Sequence, residues 1–100
     1  MDNIDVFTAT ALAGLPHGFL GRRGGVSTGI HAGLNVGVGS DDDRDAVMEN
    51  RRRAGDAVLP GAPLATVHQV HSPDVVAVTQ PYPIDARPPA DALVTATPGL

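Results

Sequence analysis

The sequence predicts a mixed α/β fold: an α+β arrangement of a mixed β-sheet with one main helix at about residues 41–59. Three observations predict it. Only the stretch from Ser40 to Leu59 carries both capping residues and a helical pattern. The other apolar runs are short, rich in Val, Ala and Thr, and bounded by Pro, Gly or Asp, as strands are. Between residues 22 and 39 stand Gly24, Gly25, Gly29, Gly33, Gly37 and Gly39. No helix survives that density of glycine, since each costs about 1 kcal/mol against alanine.

Taken in order, residues 6–10 and 17–21 read as two strands separated by Gly14-Leu15-Pro16. The glycine-rich loop follows, and a long ordered loop is more often functional than not. Ser40 and Asp41 are good N-caps for the helix, and Asp42, Asp43 and Asp45 place negative charge where its dipole favours it. Ala46, Val47, Asn50, Ala54, Ala57 and Val58 fall mostly on one face, and Pro60-Gly61 stop the helix. Residues 64–71 read as a strand, Ser72-Pro73-Asp74 as a turn, and residues 75–79 as a strand. Pro81, Pro83, Pro88 and Pro89 punctuate a loop before a last strand over residues 91–96, which Pro98-Gly99 end.

Phe7, Phe19 and Tyr82 are the aromatic residues of the 100, so aliphatic side chains must form a thin core. With nine prolines and twelve glycines, the chain reads as a loop-rich piece of something larger. A net charge of −4 argues against binding nucleic acid through its phosphates. Cysteine is absent, which excludes a disulfide framework. The acidic start Met1-Asp2-Asn3-Ile4-Asp5 shows no basic region or long apolar run, so neither a signal peptide nor a membrane span is expected, and the default location is the cytoplasm.

Two segments could carry chemistry. His68 and His71 are spaced as HxxH, but on a strand positions three apart diverge, which argues against both binding one metal. Gln69 and His71 share parity and would face one side. From the local residues alone, a hydrogen-bonded surface or half-buried imidazole is favoured for His71 over a ligand or general base. The second segment is Arg22-Arg23-Gly24-Gly25-Val26-Ser27-Thr28-Gly29. Its glycine amides can cradle an anion and a guanidinium beside them can hold phosphate or carboxylate, although the spacing is neither a Walker A loop nor a dinucleotide fingerprint. An arginine-flanked turn is the plainer alternative. Asp41-Asp42-Asp43 fits a helix N-terminus better than a cation site, and Arg51-Arg52-Arg53 a solvated face better than an anion site. Asp91 could orient a nearby ligand or cap a turn.

In order, the chain shows RxGGVSxG (Arg22, Gly24, Gly25, Val26, Ser27, Gly29), then Leu34-Asn35, Glu49-Asn50-Arg51, Gln69-Val70-His71, Ala90-Asp91-Ala92 and Pro98-Gly99. This order resembles the first part of the laccase-domain family, also called polyphenol oxidoreductase or peptidoglycan editing factor, and covers almost everything from His17 onward. The resemblance implies that residues 1–100 are the N-terminal portion of a single laccase-domain (purine nucleoside phosphorylase-like) domain, truncated before the remaining metal ligands. It implies a zinc centre of a histidine, a cysteine and a second histidine. The first maps onto His71; the others lie in TADC and HAGWRG motifs expected after Leu100. His71 and Arg22 would be catalytic, and Arg22, Gly24, Gly25, Ser27, Asn35 and Gln69 would bind substrate.

The activity so implied is that of a zinc-dependent purine nucleoside phosphorylase with adenosine deaminase-like activity. A purine nucleoside and phosphate would be the substrates, and self-association or pairing with a C-terminal half would complete the site. The alternatives are copper-dependent phenol oxidation, hydrolytic editing of a peptidoglycan precursor, and a non-enzymatic small α/β binding module. By itself this chain is expected to bind metal negligibly and to be inactive.

Overall fold

The structure, a computed structural model, describes residues 3–100 and confirms a mixed α/β fragment with one helix and small sheets. The chain forms two compact units, one up to Gly61 and the other Ala62–Leu100. No helix among the described residues is long and apolar enough to cross a membrane.

In the first unit, β1 (Val6–Phe7) pairs antiparallel with β2 (Phe19–Leu20), Val6 opposite Leu20 and Phe7 opposite Phe19. Both strands are shorter than the apolar runs suggest. The N–H of Ala9 is taken by Nε2 of His17 at 2.9 Å, and the chain turns into 3-10 helix at Thr10–Leu12. An N–H spent on a side chain cannot extend a ladder. Arg23 forks onto Asp5 at 2.7 and 2.8 Å just beyond the pair and lowers the pKa of that carboxyl by hydrogen bonding.

The helix α1 is Arg44–Val58. It starts three residues later than Ser40 and Asp41 would place it, because its N-cap is Asp43, whose carboxylate accepts from the Ala46 N–H at 3.0 Å. Its buried face, Val47, Asn50 and Arg51, follows helical spacing yet is mostly polar. The helix packs against a glycine-rich loop whose backbone groups need partners, and an apolar face would leave them unsatisfied.

In the second unit, β3 (Val75–Ala77) and β4 (Ala92–Val94) form a parallel pair, Val76 opposite Leu93. Val67, Val78 and Ala90 are its buried apolar residues. The strand expected over residues 64–71 does not form. His68 makes an isolated parallel bridge to Pro89, and two adjoining prolines cannot donate the bonds that would lengthen it. Side chains take the groups on either side: Arg87 donates to the Val67 carbonyl at 3.0 Å, and Asp91 accepts from the Val70 N–H at 3.1 Å. Val75 and Val94 on the other face of the β3–β4 pair are 60% and 55% exposed, unusual for parallel strands, which are normally covered on both sides.

Candidate functional site

The segment from Arg22 to Ser40 folds back on itself. Ser27 and Gly33 exchange both backbone bonds, at 3.1 and 3.0 Å, and the Leu34 N–H reaches the Arg22 carbonyl at 2.7 Å. The strands of this loop approach so closely that a Cβ on Gly25 would lie 2.1 Å from the Gly33 carbonyl oxygen. Gly25 is thus required by packing within the loop.

One side chain of α1 holds the loop. Asn50, with no exposed surface, accepts from the Val26 N–H at 2.7 Å and donates to Ser27 Oγ and to the Asn35 carbonyl, each at 2.8 Å. Rotating the amide by half a turn would set NH2 against N–H and oxygen against oxygen, so the network fixes its orientation. Ser27 Oγ passes a 2.5 Å bond to Asp42, which also accepts from Asn35 Nδ2 at 3.1 Å. These bonds, the one from Ser27 foremost, lower the pKa of Asp42. Asn35 Nδ2 also donates to Ser40 Oγ, and its Oδ1 accepts from the Gly37 N–H. Of the expected substrate-binding residues, Gly24 and Ser27 are therefore buried, and the side-chain bonds of Ser27 and Asn35 go to the protein itself.

The arginine run departs from a solvated face. Arg51 is buried and donates to the Val36 carbonyl at 3.3 Å, while Arg53 reaches the Gly24 carbonyl at 3.0 Å. Arg52 is 60% exposed and pairs with Glu49 and Asp56. The acidic run also divides: Asp41 meets Nε2 of His31 at 2.6 Å, Asp42 ties the loop, and Asp43 caps the helix.

Arg22 differs from all of these. Its carbonyl is pinned by Leu34, but its side chain is exposed and, among the described residues, without a hydrogen-bond or ion-pair partner. Arg23, its neighbour, is engaged with Asp5.

In the second unit, Gln69 and His71 are exposed. The alternation that would put them on one face does not hold, because residues 69–71 are not a strand and His71 has φ 62°. A left-handed backbone costs a residue with a Cβ on the order of 1–2 kcal/mol, so neighbouring bonds must hold it there. They come from Asp91. Its Oδ1 accepts from the N–H groups of Val70 at 3.1 Å and Ser72 at 2.7 Å and from Ser72 Oγ at 2.9 Å; its Oδ2 accepts from the His71 N–H at 3.1 Å. The Ser72 N–H, then its hydroxyl and the N–H groups of Val70 and His71, hold the Asp91 carboxyl at about 2. The sequence left Asp91 between orienting a ligand and capping a turn; the turn it caps is the one that carries His71. Asn50 was legible as a polar residue on an otherwise apolar helix face and as part of the Glu49-Asn50-Arg51 motif, but neither signal showed what it clamps.

Among the described residues no three His, Cys, Asp or Glu side chains come together to hold a metal, and the chain has no cysteine. His71 is a single imidazole donor. These residues do not by themselves build the zinc centre that the resemblance implies.

Beside Asp5 and Asp42, two carboxylates are lowered furthest and dominate the acid behaviour. Hydrogen bonds from Arg52 and Arg53 lower Glu49 from 4.5 to about 2, and Asp91 is lowered from 3.8 to about 2. Folded pKa values below the unfolded ones contribute stability above the unfolded values that is lost as pH falls towards 2. The melting temperature should accordingly drop between about pH 4.5 and 2. Glu49→Gln should flatten the upper part of that drop, and a slope identical to the parent's would refute the assignment to Glu49.

Residues 16–100 match the family model described as multi-copper polyphenol oxidoreductase laccase. The chain is 45% identical over 87 residues to a purine nucleoside phosphorylase of Deinococcus radiodurans, a match covering 86% of this chain and 32% of that protein. It is 41% identical over 95 residues to a purine nucleoside phosphorylase of Streptomyces griseus, covering 93% and 39%. A third of that name, from Streptomyces coelicolor, is 39% identical over 88 residues, covering 87% and 36%. The chain thus spans about a third of the length of the curated relatives it matches.

Proposed function

The chain belongs to the multi-copper polyphenol oxidoreductase laccase family, and we propose that it supplies the phosphate-binding arginine and one functional imidazole of a purine nucleoside phosphorylase. The observation that carries the reading is Arg22. A guanidinium with no partner among the described residues, on a backbone locked by its own loop, is ready for a bidentate contact with phosphate. In phosphorolysis a phosphate oxygen bonds to the anomeric carbon of the ribose. The glycosidic C–N bond breaks, its electron pair leaves with the purine, and the base takes up a proton. Arg22 would hold the phosphate and offset its charge; the imidazole of His71, exposed and without a partner among the described residues, would serve the purine side as a proton carrier or as one donor to zinc. Gln69 would contact the nucleoside beside it. The glycines at 24 and 25, with Ser27 and Asn35, would keep Arg22 in place and not touch substrate, consistent with their internal bonds.

The test is a chimera in which this chain replaces the matched third of the Deinococcus radiodurans relative. With adenosine and inorganic phosphate it should release adenine and ribose 1-phosphate. Arg22→Ala should raise the KM for phosphate about 10- to 100-fold, the size of a charged hydrogen-bond pair. His71→Ala should abolish turnover, and metal analysis of the same sample distinguishes zinc from copper. Release of inosine would add deamination. An active chimera whose phosphate KM ignores Arg22→Ala would refute the role given to Arg22.

A further inference from the structure

We propose that Asp91 is the positioning residue of His71: by drawing the N–H groups of Val70, His71 and Ser72 onto one carboxylate it imposes the left-handed turn at His71 and fixes the direction in which the imidazole leaves the chain. The inference rests on the reading of His71 as a functional imidazole and extends it to the residue that aims it.

Asp91 is itself held on both sides. Ala90 has no exposed surface and donates to the His68 carbonyl at 3.0 Å. The N–H groups of Asp91 and Ala92 both reach the Asp74 carbonyl, at 3.1 and 3.3 Å, and Ala92 opens β4. The carboxylate therefore stands on fixed backbone, and the 70–72 segment wraps around it.

The division of bonds shows what the wrapping requires. Oδ1 serves Val70 and Ser72, while Oδ2 serves His71 between them. In extended chain, successive N–H groups point in opposite directions; outside a helix N-terminus, three in a row converge on one anion where the chain turns, as in a nest that includes a left-handed residue. That residue is His71, the sole non-glycine residue with positive φ among the described ones.

His71 is exposed, and among the described residues its imidazole has no partner. The direction of its Cα–Cβ bond is then set by the backbone, which Asp91 sets. Ser72 closes the arrangement, giving its hydroxyl as well as its N–H to the same oxygen.

The test is NMR spectroscopy on the full chain. Positive φ brings a residue's own HN and Hα close, so His71 should show a strong intraresidue cross-peak. Asp91→Gly should reduce that cross-peak to ordinary strength and speed amide exchange at Val70, His71 and Ser72 about tenfold or more. Added formate, a free carboxylate, should restore both. Asp91→Asn is the milder variant. It keeps an oxygen for Val70 and Ser72 and turns an NH2 towards the His71 N–H, so its effect should be confined to His71. Cross-peaks between β3 and β4 report that the unit stays folded.

A positive-φ signature at His71 that survives Asp91→Gly without formate overturns the proposal. Loss of the β3–β4 cross-peaks in both variants also overturns it, because Asp91 would then only hold the fold together. Neither result depends on the phosphorolysis assay. An inactive chimera with the His71 signature intact would sink the functional reading and leave this one standing.

Discussion

Asn50→Ala is expected to destabilise the chain by about 3–4 kcal/mol, because it orphans buried groups on both sides of the loop it clamps. The Val26 N–H loses its acceptor and the Asn35 carbonyl its donor, each after a 2.7–2.8 Å bond, and the Ser27 hydroxyl keeps only Asp42. Water cannot easily replace a side chain that has no exposed surface. Asn50→Asp is expected to be at least as severe. It has the right shape, but a carboxylate oxygen would face the Asn35 carbonyl and share Ser27 with Asp42. Total stabilities are only about 5–15 kcal/mol, so either variant should be visibly less folded at room temperature. Urea denaturation followed by circular dichroism measures this. An Asn50→Ala midpoint within experimental error of the parent would show that the clamp does not hold the loop.

Gly25→Ala separates two accounts of the same glycine. If Gly25 served to admit a ligand to the backbone, a methyl group would weaken binding and leave stability alone. The structure predicts the opposite: the added carbon would lie 2.1 Å from the Gly33 oxygen and 2.5 Å from the Leu34 Cα, all backbone that no rotamer change can clear. Overpacking typically costs about 1–3 kcal/mol, and a clash with fixed backbone belongs at the upper end of that range. It should also release the Ser27–Gly33 bridge, detected as faster exchange of the Ser27 and Gly33 amides. A stable Gly25→Ala chain with slow exchange at both positions would return Gly25 to the ligand-binding account.

The sequence showed the elements wherever local chemistry decides. Asp residues ahead of the helix and Pro60-Gly61 behind it bracket α1 to within a few residues of Arg44–Val58. The runs around Val6, Phe19, Val76 and Leu93 did become strands, though each lasts only two or three residues. What shortened them was not visible locally. The Ala9 N–H goes to His17, and in the failed 64–71 run the N–H groups of Val70 and His71 go to Asp91, partners distant enough in the chain that no propensity or periodicity records them. The 64–71 run has every mark of a strand except a neighbour able to continue the ladder, since beyond the Ala90 N–H that reaches His68 the residues opposite are Pro88 and Pro89, which cannot donate. Exposure of Phe7 and Phe19, 62% each and directly opposed in β1–β2, also follows from tertiary arrangement and not from hydrophobicity.

For the site, the order of short motifs was enough to place the chain in its family and to single out Arg22 and His71. Their residue types already state what they can bind or transfer. Only the tertiary structure decided which residues in those motifs are free and which are spent. Ser27, Asn35 and Asn50 are all polar and all occur in the motifs, yet their side chains hold the loop, and the guanidinium of Arg22 has no partner among the described residues. The physical reason is that a buried polar group must find a partner, and which group is buried depends on how distant segments pack. His71 was recognisable from the run Gln69-Val70-His71; its left-handed backbone became intelligible only when Asp91 was seen to gather the amides around it.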